Sequence, residues 1–139
     1  TPLFISQYLY PYLKKSQGCI ISILDIHANG KPFGGYTVYN MAKAAHQMMV
    51  QSLAIELAPD IRVNGIAPGI NILPIEGSEQ ALTAQTIDKI CHAVPLKRIG
   101  TPQDIAQVAV FLAAAPYITG QIIAVDGGRG LTLAGNESR

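Results

Sequence analysis

Charge is scarce in this sequence, and that scarcity rules out more than any motif does. Only 14% of the 139 residues are Asp, Glu, Lys or Arg, against 49% hydrophobic, and the formal net charge is +1. A chain this apolar does not suit disorder. The cations Arg62, Lys97, Arg98 and Arg129 are scattered, so the basic patch needed to bind nucleic acid is missing. Long apolar runs are missing too: none approaches the ~18–20 residues of a membrane span, and no secretory signal pattern is found. Cysteine is limited to Cys19 and Cys91, without metal-ligand or Cys-x-x-Cys spacing. Two buried thiols suit a reducing compartment, and a cytoplasmic location is expected. What remains is one domain's length with apolar residues enough for a core, and part of its surface is expected to lie under another body.

Thr1-Pro2 reads as a helix start, and Phe4, Ile5, Tyr8, Leu9, Tyr12 and Leu13 carry an i, i+4 stripe toward the exit at Lys14–Gly18. Pro11 should kink that helix or end its first part. Residues 19–24 suit a strand buried on both faces, followed by Asp25 and a loop to Gly35 rich in turn formers. A helix from about Tyr36 to Leu57 is apolar or small nearly all round, which suits burial on two sides. Residues 61–67 form the second strand, closed by Pro68-Gly69. Residues 70–100 are the least regular and read as a substrate lid, with Ser78 capping a helix over roughly 79–92. Thr101-Pro102-Gln103-Asp104 supplies cap, Pro and acid in helix-opening order, and that helix runs to about Ala115. Residues 121–125 form the third strand, Asp126-Gly127-Gly128 turns away, and the end from about Ala134 should fray. Helix and strand alternate with short links, which implies an α/β fold of three parallel strands with flanking helices. Ligands of such sheets bind beyond the carboxyl ends of the strands, where Asp25 and Pro68-Gly69 fall.

Tyr39 and Lys43 stand four residues apart at the start of the long helix, on one helical face. A phenol titrates near ~10. An ammonium within roughly 4–6 Å favours the phenolate and can lower that value by roughly 1–3 pH units. Such a tyrosine can exchange a proton with a carbonyl or imine as it is reduced. Spacing alone is unspecific, since Tyr10 and Lys14 share it with Pro11 in between. Context singles out Tyr39: a strand ending in an acid, a loop rich in glycine, and small Ala42, Ala44 and Ala45 on the helix. His27, His46 and His92 show no ligand spacing and no metal site is expected. Met41, Met48 and Met49 read as packing residues.

Tyr39-Asn-Met-Ala-Lys43, Ile61 through Pro68-Gly69, Pro95 through Thr101-Pro102 to Ala106, Ile118-Thr-Gly120 and Val125-Asp-Gly-Gly128 resemble, in order and spacing, the C-terminal half of the short-chain dehydrogenase/reductase family. The resemblance implies half of a doubly wound parallel-sheet Rossmann fold. It also implies Tyr39 as proton donor, and Lys43 lowering its pKa and hydrogen-bonding a nicotinamide ribose. The backbone of Pro68, Gly69 and Ile70 would line the carboxamide, and Asn71 is a candidate contact to cofactor phosphate. The family usually has Ser at the end of the strand before the Tyr; here Asp25 stands there, with Tyr36 three residues before Tyr39. That pairing resembles the pteridine reductases and dihydromonapterin reductases, where an Asp–Tyr pair relays a proton to a ring nitrogen while NADPH supplies hydride.

The activity so implied is NADPH-dependent reduction of a dihydropterin. Tyr39, Lys43 and Asp25 would be catalytic; Tyr39, Lys43, Pro68, Gly69, Ile70 and Asn71 would hold cofactor; Asp25, Tyr36 and Tyr39 would meet substrate. Alternatives are a general carbonyl or alcohol oxidoreductase, such as a 3-oxoacyl or sugar reductase, and a non-catalytic module whose long helix mediates oligomerisation. A homo-oligomer of two or four copies is expected, and Arg129 would be either a solvated terminus or a reach into a neighbouring subunit's site. The family's Gly-rich pyrophosphate turn is not in the sequence, and Gly127-Gly128-Arg129-Gly130 cannot replace it, because it follows the last strand and opens no helix. Residues 1–139 are therefore expected to be one incomplete Rossmann-type domain of a protein about twice as long, with an open sheet edge and a weak hold on cofactor when alone.

Overall fold

The computed structural model describes residues 2–28, 30–71 and 82–132. The leading helix, α1 (Pro2–Ser16), passes through Pro11 without a break. Pro11 and Gln7, the residue whose carbonyl the ring leaves without a helical partner, are both exposed, so solvent can satisfy that oxygen. β1 (Cys19–Ile23) follows, then a single 3-10 turn at Ile26–Ala28, and then α2 (Thr37–Glu56). β2 (Arg62–Pro68), α3 (Ala84–Ala93), α4 (Pro102–Ala114), β3 (Ile122–Val125) and the one-turn α5 (Arg129–Thr132) complete the order. The three strands form one parallel sheet in the order β1-β2-β3, with Ile20 opposite Val63 and Ile66 opposite Ile123. The α/β class and parallel sheet expected from the sequence are what the chain adopts.

Side-chain alternation along β2 divides the core. Val63 and Ala67 pack with Val50, Leu53 and Ala54 of α2 and with Leu24, Ile26 and Ile61. The intervening residues Arg62, Asn64 and Ile66 serve the other face, where Leu112 of α4 is fully buried. Arg62 donates to the carbonyls of Leu112 and Ala113, both at 2.8 Å, and so places a cation on the last turn of α4. Asn64, wholly buried, is satisfied at both ends: its Nδ2 donates to Ile118 O at 2.9 Å and its Oδ1 accepts from Gln121 N at 3.0 Å. These bonds fix the chain entering β3.

Several expectations need correction. β1 is half-buried rather than buried on both faces, because it lies at the edge of the sheet; Ile23 is 49% exposed. α2 is buried along one stripe only: Val50, Leu53 and Ala54 are covered, whereas Met41, Met48 and Ile55 face outward. The sheet, the turn at Ile26–Ala28 and Tyr10 and Leu13 of α1 meet that stripe, and the opposite side is left open among the described residues. α3 begins at Ala84 under a Thr83 cap, whose hydroxyl accepts from Thr86 N at 3.2 Å. Ser78, the expected cap, lies outside the described residues, as do residues 72–81 of the supposed lid and the tail from residue 133. α4 opens as its sequence dictates, with Thr101 and Asp104 bonded reciprocally in a capping box and Arg98 clamping the same carboxylate at 2.8 and 2.9 Å. No helix among the described residues is long and apolar enough to cross a membrane.

Candidate active site

Asp25 stands two residues beyond the end of β1, where the chain leaves the sheet. Its Oδ1 accepts the backbone N–H of His27 at 2.8 Å, and its carbonyl accepts from Ala28 N at 3.1 Å. This local turn, the usual habit of aspartate at a loop entry, leaves Oδ2 aimed across the loop. There it accepts the hydroxyl of Tyr39 at 2.6 Å, a short charge-assisted bond across fourteen residues of sequence. Tyr39 lies in the first turn of α2, and Lys43 lies one turn further on.

Lys43 does not do what its spacing promised. Its Nζ donates to the carbonyls of Ile23 and Leu24 at 3.3 and 3.2 Å, and it sits 5.8 Å from the centre of the Tyr39 ring. The Tyr39 hydroxyl is pushed up to about 12, first by its burial and then by the hydrogen bond and negative charge of Asp25. The expected lowering by Lys43 is not seen here: burial first, and then the carboxylate bonded to the hydroxyl, raise it, and the ammonium makes no hydrogen bond to that oxygen. In this state the pair is a protonated phenol held against a carboxylate, a stored proton rather than a phenolate.

The pair opens into a cavity of about 300 Å³. Asp25, His27, Phe33, Tyr36 and Tyr39 line it together with Pro68, Gly69 and Ile70 at the exit of β2 and with Arg129. Gly69 is required there: a Cβ would lie 2.7 Å from the Cβ of Asp126, and only its absence lets Gly69 N donate to Val125 O at 3.1 Å. Asn71 is not brought to this cavity. It lines a different one, of about 440 Å³, with Arg98, Gly100 and Asp126, its side chain pressed on Gly100. His46 lies on α2 away from the cavity lining, with its Nε2 buried and its imidazole lowered by burial and then by Lys43, and His92 on α3 stands 3.4 Å from Asp88. No metal-holding group of three His, Cys, Asp or Glu occurs among the described residues.

Two contributors escaped the sequence reading. Phe33 stacks on Tyr36 with ring centres 4.6 Å apart, and Asn40 bonds the backbone of Phe33 twice. An aromatic flanked by Pro32 and a pair of glycines was the available signal for the first; nothing in spacing alone marks the second.

Residues 2–129 match the family model described as enoyl-(acyl carrier protein) reductase, and the chain belongs to this family, within the short-chain dehydrogenases/reductases. It is 37% identical over 128 residues to the 7alpha-hydroxysteroid dehydrogenase of Escherichia coli (strain K12), covering 89% of this chain and 49% of that protein. To pteridine reductase 1 of Leishmania tarentolae it is 39% identical over 119 residues, covering 83% and 39%. Among solved structures, a Caenorhabditis elegans short-chain dehydrogenase/reductase with cofactor superposes with a TM-score of 0.82 at 29% identity, covering 94% of this chain and 52% of that one. The chain spans about half the length of the curated relatives it matches.

Proposed function

We propose that the protein carrying this chain is an NADPH-dependent oxidoreductase that reduces a dihydropterin to its tetrahydro form. The observation that carries the reading is the 2.6 Å bond from Tyr39 Oη to Asp25 Oδ2. Reduction of a carbonyl builds negative charge on oxygen, and a carboxylate facing that oxygen opposes it. Reduction of a ring C=N instead leaves a nitrogen in need of a proton, and pterin rings present N–H groups that a carboxylate accepts. Two flat aromatic rings, Tyr36 and Phe33, border the same cavity.

The donor set also suits a nicotinamide nucleotide. Lys43 has three N–H groups; two meet carbonyls, and the third, with no partner among the described residues, is available to a ribose hydroxyl. Pro68, Gly69 and Ile70 line the cavity that holds Tyr39. When bound, such a cofactor supplies the hydride. Tyr39 then hands its proton to the ring nitrogen, and a proton drawn from solvent and relayed through Asp25 replaces it. Lys43, one turn further along α2, offsets the negative charge that develops on the pair meanwhile. The reading includes a homo-oligomer of two or four copies, supported by exposed Tyr8 and Tyr12 on α1 and Met41 and Met48 on α2.

The test is a substrate panel on the full-length protein: dihydrobiopterin, a 3-oxoacyl thioester and a ketosteroid, each with NADPH and NADH. A kcat/KM for dihydrobiopterin with NADPH at least about tenfold above the others, ~1.4 kcal/mol of discrimination, is expected. A higher value for the thioester or steroid overturns the proposal.

A further inference from the structure

We propose that Asn40 is a positioning residue: its carboxamide holds the turn at 33–36 so that Phe33 stacks behind Tyr36 beside the Tyr39–Asp25 pair, and the ring face that Tyr36 turns away from Phe33 is a wall that selects planar heteroaromatic substrates. The inference deepens the reductase reading above and rests on it for the identity of the substrate.

The loop between Asp25 and Tyr39 has little reason to hold a single shape. It contains Gly30, Gly34 and Gly35, and such a segment loses much conformational entropy when ordered. Its last four residues form a turn, with Tyr36 N donating to Phe33 O at 3.2 Å and Gly35 at φ +80° in the third position, where a type II turn calls for glycine. One long hydrogen bond does not hold a turn built on two glycines.

Asn40 supplies the rest. Its Oδ1 accepts the N–H of Phe33 at 3.2 Å and its Nδ2 donates to the carbonyl of Phe33 at 2.8 Å. A primary amide thus pairs with both polar groups of a single residue, donor to acceptor at each contact. The backbone of Asn40 acts in the same direction, its N–H donating to Tyr36 O at 2.9 Å. Both ends of the turn are therefore tied to the same residue of α2, adjacent in sequence to Tyr39.

The consequence is a ring arrangement. Phe33 and Tyr36 lie 4.6 Å apart and 15° from parallel, and His27 continues the row at 5.0 Å from Phe33. All three line the cavity that holds Asp25 and Tyr39. Phe33 and Tyr36 remain 46% and 54% exposed, so their stacking is not explained by core packing; with Phe33 between His27 and Tyr36, the ring face left to another flat body is the one Tyr36 turns away from Phe33. Only Asn fits this role at position 40. Asp would set an acceptor against the Phe33 carbonyl, and Ala or Ser cannot bridge both groups.

The test uses the full-length protein with Asn40→Ala, Phe33→Ala, the double variant and Asn40→Asp. Each single change is expected to raise KM for dihydrobiopterin up to about tenfold, the scale of one stacked aromatic contact, with kcat within about twofold. The double variant should cost less than the sum of Asn40→Ala and Phe33→Ala, because both changes loosen the same turn and through it the Tyr36 ring. Asn40→Asp should behave like Asn40→Ala, and amide hydrogen exchange at Phe33 should rise in both. Additive effects in the double variant, unchanged KM, or a fall in kcat at constant KM overturn the proposal. A protein that reduces no dihydropterin defeats the substrate reading and the selective wall together. Exchange at Phe33 then judges the clamp alone, and unaltered protection in Asn40→Ala defeats it.

Discussion

Tyr39→Phe is expected to lower kcat/KM for the proposed dihydropterin reduction by about 10²–10⁴-fold, the range of a positioned general acid. The change removes one oxygen and keeps the ring. Its loss is therefore expected in kcat, with KM for dihydropterin and the affinity for cofactor altered much less. Asp25 loses its donor but not its seat, since its other oxygen remains bonded to His27 N. Steady-state oxidation of NADPH followed by absorbance, alongside cofactor binding by fluorescence, separates the two effects. Activity within about tenfold of the unaltered protein would show that another group supplies the proton.

The second large effect belongs to Asp25. Asp25→Ser is expected to cost about 10²-fold or more in dihydropterin reduction. The same change spares or improves reduction of simple ketones, because a serine hydroxyl donates to a carbonyl oxygen where a carboxylate repels it. The ratio of the two activities is therefore the informative number, and it cancels losses of folded protein. Full retention of dihydropterin activity in Asp25→Ser removes the pterin reading and leaves the broader oxidoreductase assignment standing.

How far the chain could be read in advance differs between elements for physical reasons. Thr101, Pro102 and Asp104 announce α4 because capping is local chemistry, decided within one helical turn. The three strands were evident as short apolar runs, but β1 looked more buried than it is, since an apolar run does not say whether a strand has a neighbour on both sides. α2 misled in the same way: its outward methionines and Ile55 are legible as apolar and silent about what covers them. In the site, Tyr39 and Asp25 were identified from the strand end and helix start that bring them together. The direction of the Tyr39 shift was not, because spacing along a helix places Lys43 near the ring and cannot say that two backbone carbonyls take its ammonium. The placing of Asn71 was not legible for a related reason. Its position two residues after Gly69 suggested the same cavity, but the chain bends at Ile70, whose carbonyl accepts from Gly100 N at 2.9 Å, and carries Asn71 into another cleft.

The central claim is that Asp25, adding to the effect of burial, raises the Tyr39 hydroxyl, and that Lys43 does not bring it below its ordinary value. Tyrosine Cζ resonances of the full-length protein, free of cofactor and assigned with Tyr39→Phe, report it directly as pH is raised. The account predicts that Tyr39 titrates near 12, and that Asp25→Asn brings it part of the way back toward 10.0, burial retaining the remainder. Because this pKa is raised on folding, the bond's contribution to stability is full below about pH 10 and is lost as pH climbs through about 12. A Tyr39 that titrates at or below the ordinary value, or one that Asp25→Asn leaves unmoved, contradicts the account.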